Sequence, residues 1–236
     1  MPSSPDIVVI DYESGNLRSV AKALEALGIS PAVTGDPDRL AAADGVILPG
    51  VGSAAQAMAA LQGRGLIGPI KDYVRSGKPF FGVCLGLQLL LERTEEGGGD
   101  CLGLVAGQVK LFSAGAQGEL KVPHMGWNSV EIQGRHPVFD GIPESSYFYF
   151  VHSYYGAPDR DDWVAGTTGY GVTFCSVLAK DNLVATQFHP EKSGPVGLRI
   201  YRNFIAMAVR QSAVSGRPAT PSNQQPAGQR VPGNAG

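Results

Sequence analysis

The stretch Lys78-Pro79-Phe80-Phe81-Gly82-Val83-Cys84-Leu85-Gly86 constrains this chain more than any other. Its first half is apolar and reads as a buried strand, and Leu85 to Arg93 reads as a helix. Between them a glycine stands two residues to either side of Cys84. A nucleophile on so sharp a strand-to-helix turn needs small neighbours, because side chains there would collide. The helix start offers its first N–H groups and positive dipole end to a thiolate and to a developing oxyanion. Cys84 is therefore the candidate nucleophile; the alternative is a small buried residue between packed glycines. Cys101 and Cys175 lack such a setting and read as core or loop filler. Three cysteines so scattered make neither a disulfide framework nor a CxxC metal site, and fit reduced thiols in a cytoplasmic protein.

The segments before and after this turn predict an α/β fold. Ile7–Ile10, Pro31–Thr34 and Gly45–Leu48 read as strands. Between and after them, Asn16 caps a helix with apolar positions Leu17, Val20, Ala21, Leu24 and Leu27, and helices are expected near Ser53–Leu61 and Ile67–Ser76. That alternation implies a largely parallel sheet flanked by helices. From about Gly107 the pattern changes to short alternating segments: Gln108–Phe112, Asn128–Ile132, Tyr147–His152, Trp163–Thr168, Thr173–Leu178 and Leu183–Phe188. This second half is expected to be strand-rich and partly antiparallel, closed by a helix near Val196–Val209. Residues 1–210 then form one domain, and Gln211 to Gly236, rich in Pro, Gly, Ser and Gln, is expected to be a disordered tail.

Charge and hydropathy narrow the ligands. Lys+Arg 19 against Asp+Glu 21 leaves no basic excess for phosphate backbones, so nucleic acid is not expected as a partner. No apolar run approaches the roughly 20 residues a bilayer span needs, and Met1 to Asp6 lacks the basic and apolar regions of a signal peptide, so no membrane association is expected.

A cysteine nucleophile needs a base, and the base an orienting group. His189 ends the strand read at Leu183–Phe188, within His189-Pro190-Glu191. Pro190 biases it to extended backbone, where residues two apart face the same way, so Glu191 can meet the imidazole. His136 has Val138 where an acid is needed and reads as surface. Leu48-Pro49-Gly50-Val51-Gly52-Ser53 ends a strand and opens a helix, where ligand crevices lie in parallel sheets. N–H groups of Gly50, Val51 and Gly52, together with that of Leu85, are the candidate oxyanion donors. Both loop glycines are expected to give this backbone access to unusual φ values. No Gly-x-Gly-x-x-Gly or Walker pattern argues for a nucleotide.

Pro49-Gly50-Val51-Gly52, the segment Gly82 to Gln88 and His189-Pro190-Glu191, in this order and spacing, resemble the class I (triad) glutamine amidotransferases. Asp11 to Leu17, Pro123-His124-Met125-Gly126-Trp127-Asn128 and Tyr149 to Tyr155 look like the family of glutaminase subunits of imidazole glycerol phosphate synthase, although Glu13 stands where that family often has Gly. The resemblance implies a Cys84–His189–Glu191 triad, L-glutamine held by Gly52, Gln88, Ser153 and Tyr154, and no metal or other cofactor. It also implies a (β/α)₈-barrel cyclase as heterodimer partner, met by Asn16, Met125, Trp127, Asn128 and Lys192. By residue physics alone Trp127 reads as core and Tyr149–Tyr155 as an aromatic strand. The rivals are a glutaminase serving another synthase, such as pyridoxal phosphate or anthranilate synthesis, and a catalytically silent binding module.

Overall fold

The computed structural model describes residues 4–113 and 120–214. Strands β1 (Ile7–Ile10), β2 (Ala32–Thr34), β3 (Gly45–Gly50) and β4 (Phe80–Cys84) alternate with helices α1 (Leu17–Glu25), α2 (Pro37–Ala42), α3 (Ala54–Gly63) and α4 (Ile67–Arg75). The short helix α5 (Leu85–Leu89) follows β4 directly. Strands β5 (Arg93–Thr94), β6 (Gly107–Leu111), β7 (His124–Ile132), β8 (Ser146–His152), β9 (Tyr154–Pro158), β10 (Val164–Tyr170), β11 (Val172–Lys180) and β12 (Leu183–Thr186) make up the second half, before helix α6 (Gly194–Val214).

The sheet runs in the order β2-β1-β3-β4-β12-β11-β10-β7-β8, with β5, β6 and β9 branching from it. The pairs β1–β2, β1–β3, β3–β4 and β4–β12 are parallel, and β11–β12, β10–β11, β7–β10 and β7–β8 are antiparallel. The expected architecture is the one observed. The parallel strands β1, β3, β4 and β12 are buried throughout because each feeds two cores, whereas β2 lies at the edge and is partly exposed. Ile7, Val9, Ile47, Phe81, Val83 and Val184 pack on one face with α1 and α6. Val8, Ile10, Val46, Leu48, Phe80 and Ala185 pack on the other with α2, α3, α4 and α5. Each large side chain so buried contributes roughly 1.5–3 kcal/mol. On the first face Phe81 meets Tyr201 and Phe204 of α6 at ring-centroid distances of 5.5 and 5.4 Å.

Several boundaries differ from expectation for local reasons. Asn16 stands at the start of α1, but at φ 74 and with no capping hydrogen bond from its side chain. The helix after Cys84 ends at Leu89 rather than Arg93, because the carbonyls of Leu89, Leu90 and Leu91 bond the backbone of residues 102–105. Helix α6 runs to Val214, so the first four residues assigned to the tail are helical; the rest of that tail lies outside the described residues. Trp127, core by residue physics, is 57% exposed, because its neighbours His124 and Val130 take the inward positions of β7. Glu13, where the resembling family often has Gly, has φ 71, in the left-handed region that favours glycine.

Candidate active site

Strands β3, β4 and β12 are adjacent and parallel, so their carboxyl ends share one edge of the sheet. Gly50 pairs with Cys84 across β3–β4, and Val83 with Thr186 across β4–β12. This register brings together three segments that lie far apart in the chain, at Gly50, Cys84 and Thr186. Cys84 is buried, at φ 55 and ψ −106, a conformation that L-residues adopt rarely and that turns the strand into α5. Gly86 is required by that turn: a Cβ there would strike the Leu48 carbonyl, and one on Gly82 would come within 2.8 Å of the Gly86 oxygen. Gly86→Ala is expected to cost about 1–3 kcal/mol or more, since backbone rather than a flexible side chain must move. That lowers the melting temperature by several degrees in a chain of this size. Gly63→Ala, with open space around its Cβ, is the control and should leave the melting temperature unchanged or raised.

His189 is fully buried and its Nδ1 lies 2.7 Å from Glu191 Oε1. Glu191 Oε1 also accepts from the Asn16 amide at 2.6 Å, and Oε2 accepts from the Tyr201 hydroxyl at 3.2 Å. Three donors thus fix the carboxylate, and the carboxylate fixes the imidazole with Nε2 free. That Nε2 is buried and has no hydrogen-bond partner among the described residues, and Cys84 is close enough to act on the imidazole. Burial alone would lower the His189 pKa, but interaction with Cys84 and Glu191 outweighs it and pushes it up to about 10. Burial likewise works to raise Glu191, and the His189 hydrogen bond and charge, with the Asn16 amide, hold it below its ordinary value. The backbone is anchored too: the His189 N–H donates to the Tyr149 carbonyl at 3.0 Å, and Ser193 Oγ donates to the His189 carbonyl at 2.7 Å.

A cavity of about 400 Å³ opens beside the thiol. Val51, Gly52, Leu85, Gln88, Ser153 and Tyr154 line it with Cys84, as do Glu96 and His152, which the sequence did not single out for this role. Gln88 is buried, donating through Nε2 to the Tyr154 carbonyl at 2.9 Å and to Gln187 Oε1 at 3.2 Å. Gln187 in turn directs its Nε2 at Cys84 Sγ, 3.8 Å away. A second cavity, of about 450 Å³, lies between β9, β10 and β11 and holds no residue of the cysteine–histidine–glutamate set.

The loop glycines differ from each other. Gly52 has φ 92, as expected, whereas Gly50 does not have a positive φ. Gly50 is small for another reason: a Cβ would lie 2.5 Å from the Tyr12 hydroxyl and 3.0 Å from Leu85 Cβ. Of the five residues expected to face a partner, Met125 and Trp127 are 62% and 57% exposed, and Lys192 is exposed. Asn16 and Asn128 turn their amides inward, to Glu191 and to the Gly169 carbonyl respectively. Tyr201 and Gln187 were missed because a helical tyrosine and a strand-end glutamine read as ordinary core positions; His136 bonds the Val138 N–H and caps a short turn.

This arrangement, a cysteine on a strand-to-helix elbow with a histidine and a glutamate on the next parallel strand end, defines a class of enzyme, and the chain belongs to the class I glutamine amidotransferase family, whose model matches residues 8–208. Two curated relatives carry the name imidazole glycerol phosphate synthase subunit HisH. The one from Dehalococcoides mccartyi is 48% identical over 204 residues, covering 86% of this chain and 98% of that protein. The one from Methanosarcina barkeri is 50% identical over 204 residues, covering 85% and 98%. Among solved structures, that of PurLQS from Thermotoga maritima superposes with a TM-score of 0.68 at 20% identity, covering 86% of this chain and 98% of that one, which shows a shared fold. Within the amidotransferases the chain is of the HisH type.

Proposed function

We propose that this protein hydrolyses L-glutamine with Cys84, His189 and Glu191 and passes the ammonia to a separate cyclase subunit that makes imidazole glycerol phosphate and AICAR in histidine biosynthesis. The observation that carries it is the union of Cys84 with the His189–Glu191 pair beside a cavity of suitable size, in a chain about half identical to HisH subunits. Cys84 Sγ, its proton taken by His189, attacks the side-chain amide carbon of glutamine. The oxyanion so formed is held by N–H groups of Leu85 and the Gly50–Gly52 loop. His189 returns the proton to the amide nitrogen, ammonia leaves, and a thioester remains. Water, deprotonated by His189, then releases glutamate and regenerates the thiol. Glu191 orients His189 and stabilises its cation. Gly52, Gln88 and the Ser153–Tyr154 backbone hold the amino acid, and Glu96 offers a carboxylate to its ammonium group. No metal or redox cofactor is needed for these steps.

Ammonia released into water is protonated and lost, so the donor and user of ammonia must form a heterodimer with a dry passage between them. The outer face of the β7–β8 pair suits such a contact. Met125, Trp127 and Tyr147 are 62%, 57% and 60% exposed on it, beside Tyr149. An apolar cluster of this kind marks a docking surface, and Lys192 extends it towards the triad. Trp127→Ala is expected to weaken cyclase binding about 30-fold, the loss of one aromatic anchor. The melting temperature should hardly change, because more than half of the side chain is already in water. Calorimetric titration with the cyclase and a thermal scan check both. No helix among the described residues is long and apolar enough to cross a membrane, and a cytoplasmic location fits the reduced thiols. The reading is tested by mixing the protein with a cyclase subunit and measuring glutamate release with and without the cyclase's ligand. Co-purification with a different synthase, or no release under any condition, would overturn it.

A further inference from the structure

Four polar groups outside the triad form one chain from β7 to the cavity. Asn128 Nδ2 lies 3.2 Å from His124 Nε2, His124 Nδ1 lies 2.9 Å from His152 Nε2, and His152 Nδ1 lies 2.8 Å from the Tyr154 carbonyl. His124 and His152 face each other across the β7–β8 register, both buried among Phe112, Phe150 and Phe174.

The proton positions can be deduced from either end. A carbonyl only accepts, so His152 Nδ1 carries the hydrogen. At the other end the amide of Asn128 is fixed in orientation: its nitrogen donates to the Gly169 carbonyl at 3.0 Å and its oxygen accepts from the Ser129 N–H at 2.8 Å. Asn128 therefore donates to His124, so His124 Nε2 is bare and Nδ1 carries the hydrogen. That hydrogen points at His152 Nε2, which is then bare as well. Both ends give the same answer, two neutral Nδ1–H imidazoles donating in one direction. A proton added to either ring would set donor against donor. Burial agrees, pushing His124 down to about 4 and His152 to about 3.

We propose that His152, backed by His124, is a positioning residue for the glutamine cavity, holding the Tyr154 carbonyl that also anchors Gln88. This rests on the reading of that cavity as the glutamine site. The Tyr154 carbonyl has two donors, His152 and Gln88, and Gln88 leads on through Gln187 to the Cys84 sulfur. Removing the His152 donor loosens the Ser153–Tyr154 wall, which meets the substrate on that reading, while Gln88 keeps its bond to Gln187 and the imidazole stays fixed by Glu191 and by the backbone bonds of His189 to Tyr149 and Ser193.

Two variants separate this from a merely structural role. His152→Asn places an amide nitrogen where Nδ1 was and keeps the donation to Tyr154. His152→Gln mimics Nε2 and cannot make it. With the cyclase and its ligand present, His152→Gln is expected to raise the KM for glutamine about tenfold, the effect of one lost hydrogen bond, with kcat changed less than threefold. His152→Asn should stay within about threefold of the native KM. Equal KM values for the two variants, or a loss mainly in kcat, would overturn the proposal. Nitrogen-15 NMR of histidine-labelled native protein gives an answer independent of activity. Two neutral Nδ1–H rings at neutral pH are expected, and an Nε2–H ring or an imidazolium at either position would refute the chain. Should the native protein release no glutamate with any cyclase, the reading of the cavity fails, while the NMR result still decides the proton order.

Discussion

Replacing Cys84 by alanine is expected to reduce glutamine-dependent turnover by roughly 10⁴–10⁶-fold, the cost of removing the nucleophile from a triad that acts as a unit. The change is small in structural terms. The side chain is buried and compact, alanine is an L-residue that bears the same strain at φ 55, and no hydrogen bond of the backbone is lost. A thermal scan should therefore show a melting temperature within a few degrees of the native value. The cyclase bound to this variant should still work on added ammonium at high pH, because that route never uses the thiol. Cys101→Ala and Cys175→Ala are the matched controls and should retain kcat within a few-fold. Burial with neighbouring negative charge pushes the Cys101 thiol up to about 11, and burial pushes Cys175 up to about 12, so neither presents a thiolate near neutral pH. Glutamate release that survives in Cys84→Ala would refute the assignment of the nucleophile.

What the sequence made legible follows from the range over which each signal acts. The elbow at Cys84 is local: strand, two glycines and helix are all within about ten residues, and its geometry can be read without knowing the rest of the fold. The pairing of His189 with Glu191 is equally local, but the expected reason holds only at His189, which is extended; Pro190–Lys192 forms a 3₁₀ turn, and that turn brings the carboxylate to the imidazole. The support of Glu191 is not. Asn16, at the start of α1, lies 175 residues away, and Tyr201 is on α6, which packs on the same face of the sheet only once the chain is folded, so neither spacing nor propensity could reveal that both donate to one carboxylate. The same holds for the His124–His152 pair, which exists only because β7 and β8 pair in one register. Trp127 shows the reverse error. Its residue type argued for burial, but alternation along β7 turns it outward. The missed helix α2 had a signal in its Asp36-Pro37 start, where the Asp36 carboxylate accepts from the Asp38 N–H at 3.0 Å.

Gly50→Val is expected to lower partner-stimulated turnover by about 10²–10³-fold while leaving glutamine affinity nearly unchanged. The isolated subunit is expected to be a poor glutaminase, since one that ran without its partner would waste glutamine. Docking of the cyclase and its ligand would then favour the loop state that turns an N–H towards the oxyanion, a shift of population. The structure shows why Gly50 is sensitive. The Tyr12 hydroxyl, buried and with its pKa pushed up to about 12 by that burial, donates to the Pro49 carbonyl at 3.0 Å. A Cβ on Gly50 must displace either this hydroxyl or Leu85, whose own N–H is the other proposed donor, so both halves of the oxyanion site are disturbed together. The Ser153–Tyr154 backbone stands on other elements, and Gln88, although on α5 with Leu85, is held by the Tyr154 carbonyl and by Gln187, so the proposed substrate contacts should be kept. Steady-state kinetics with and without the liganded cyclase measure the first effect. Titration of glutamine into the Cys84→Ala background, where nothing turns over, measures the second. The cause can be isolated with a smaller change: Gly50→Ala meets the same hydroxyl, and Tyr12→Phe removes that oxygen. The double variant should therefore recover much of the turnover that Gly50→Ala alone loses. Equal stimulation in Gly50→Val, full activity of the native subunit without its partner, or no recovery in the double variant would each count against this loop as the switch.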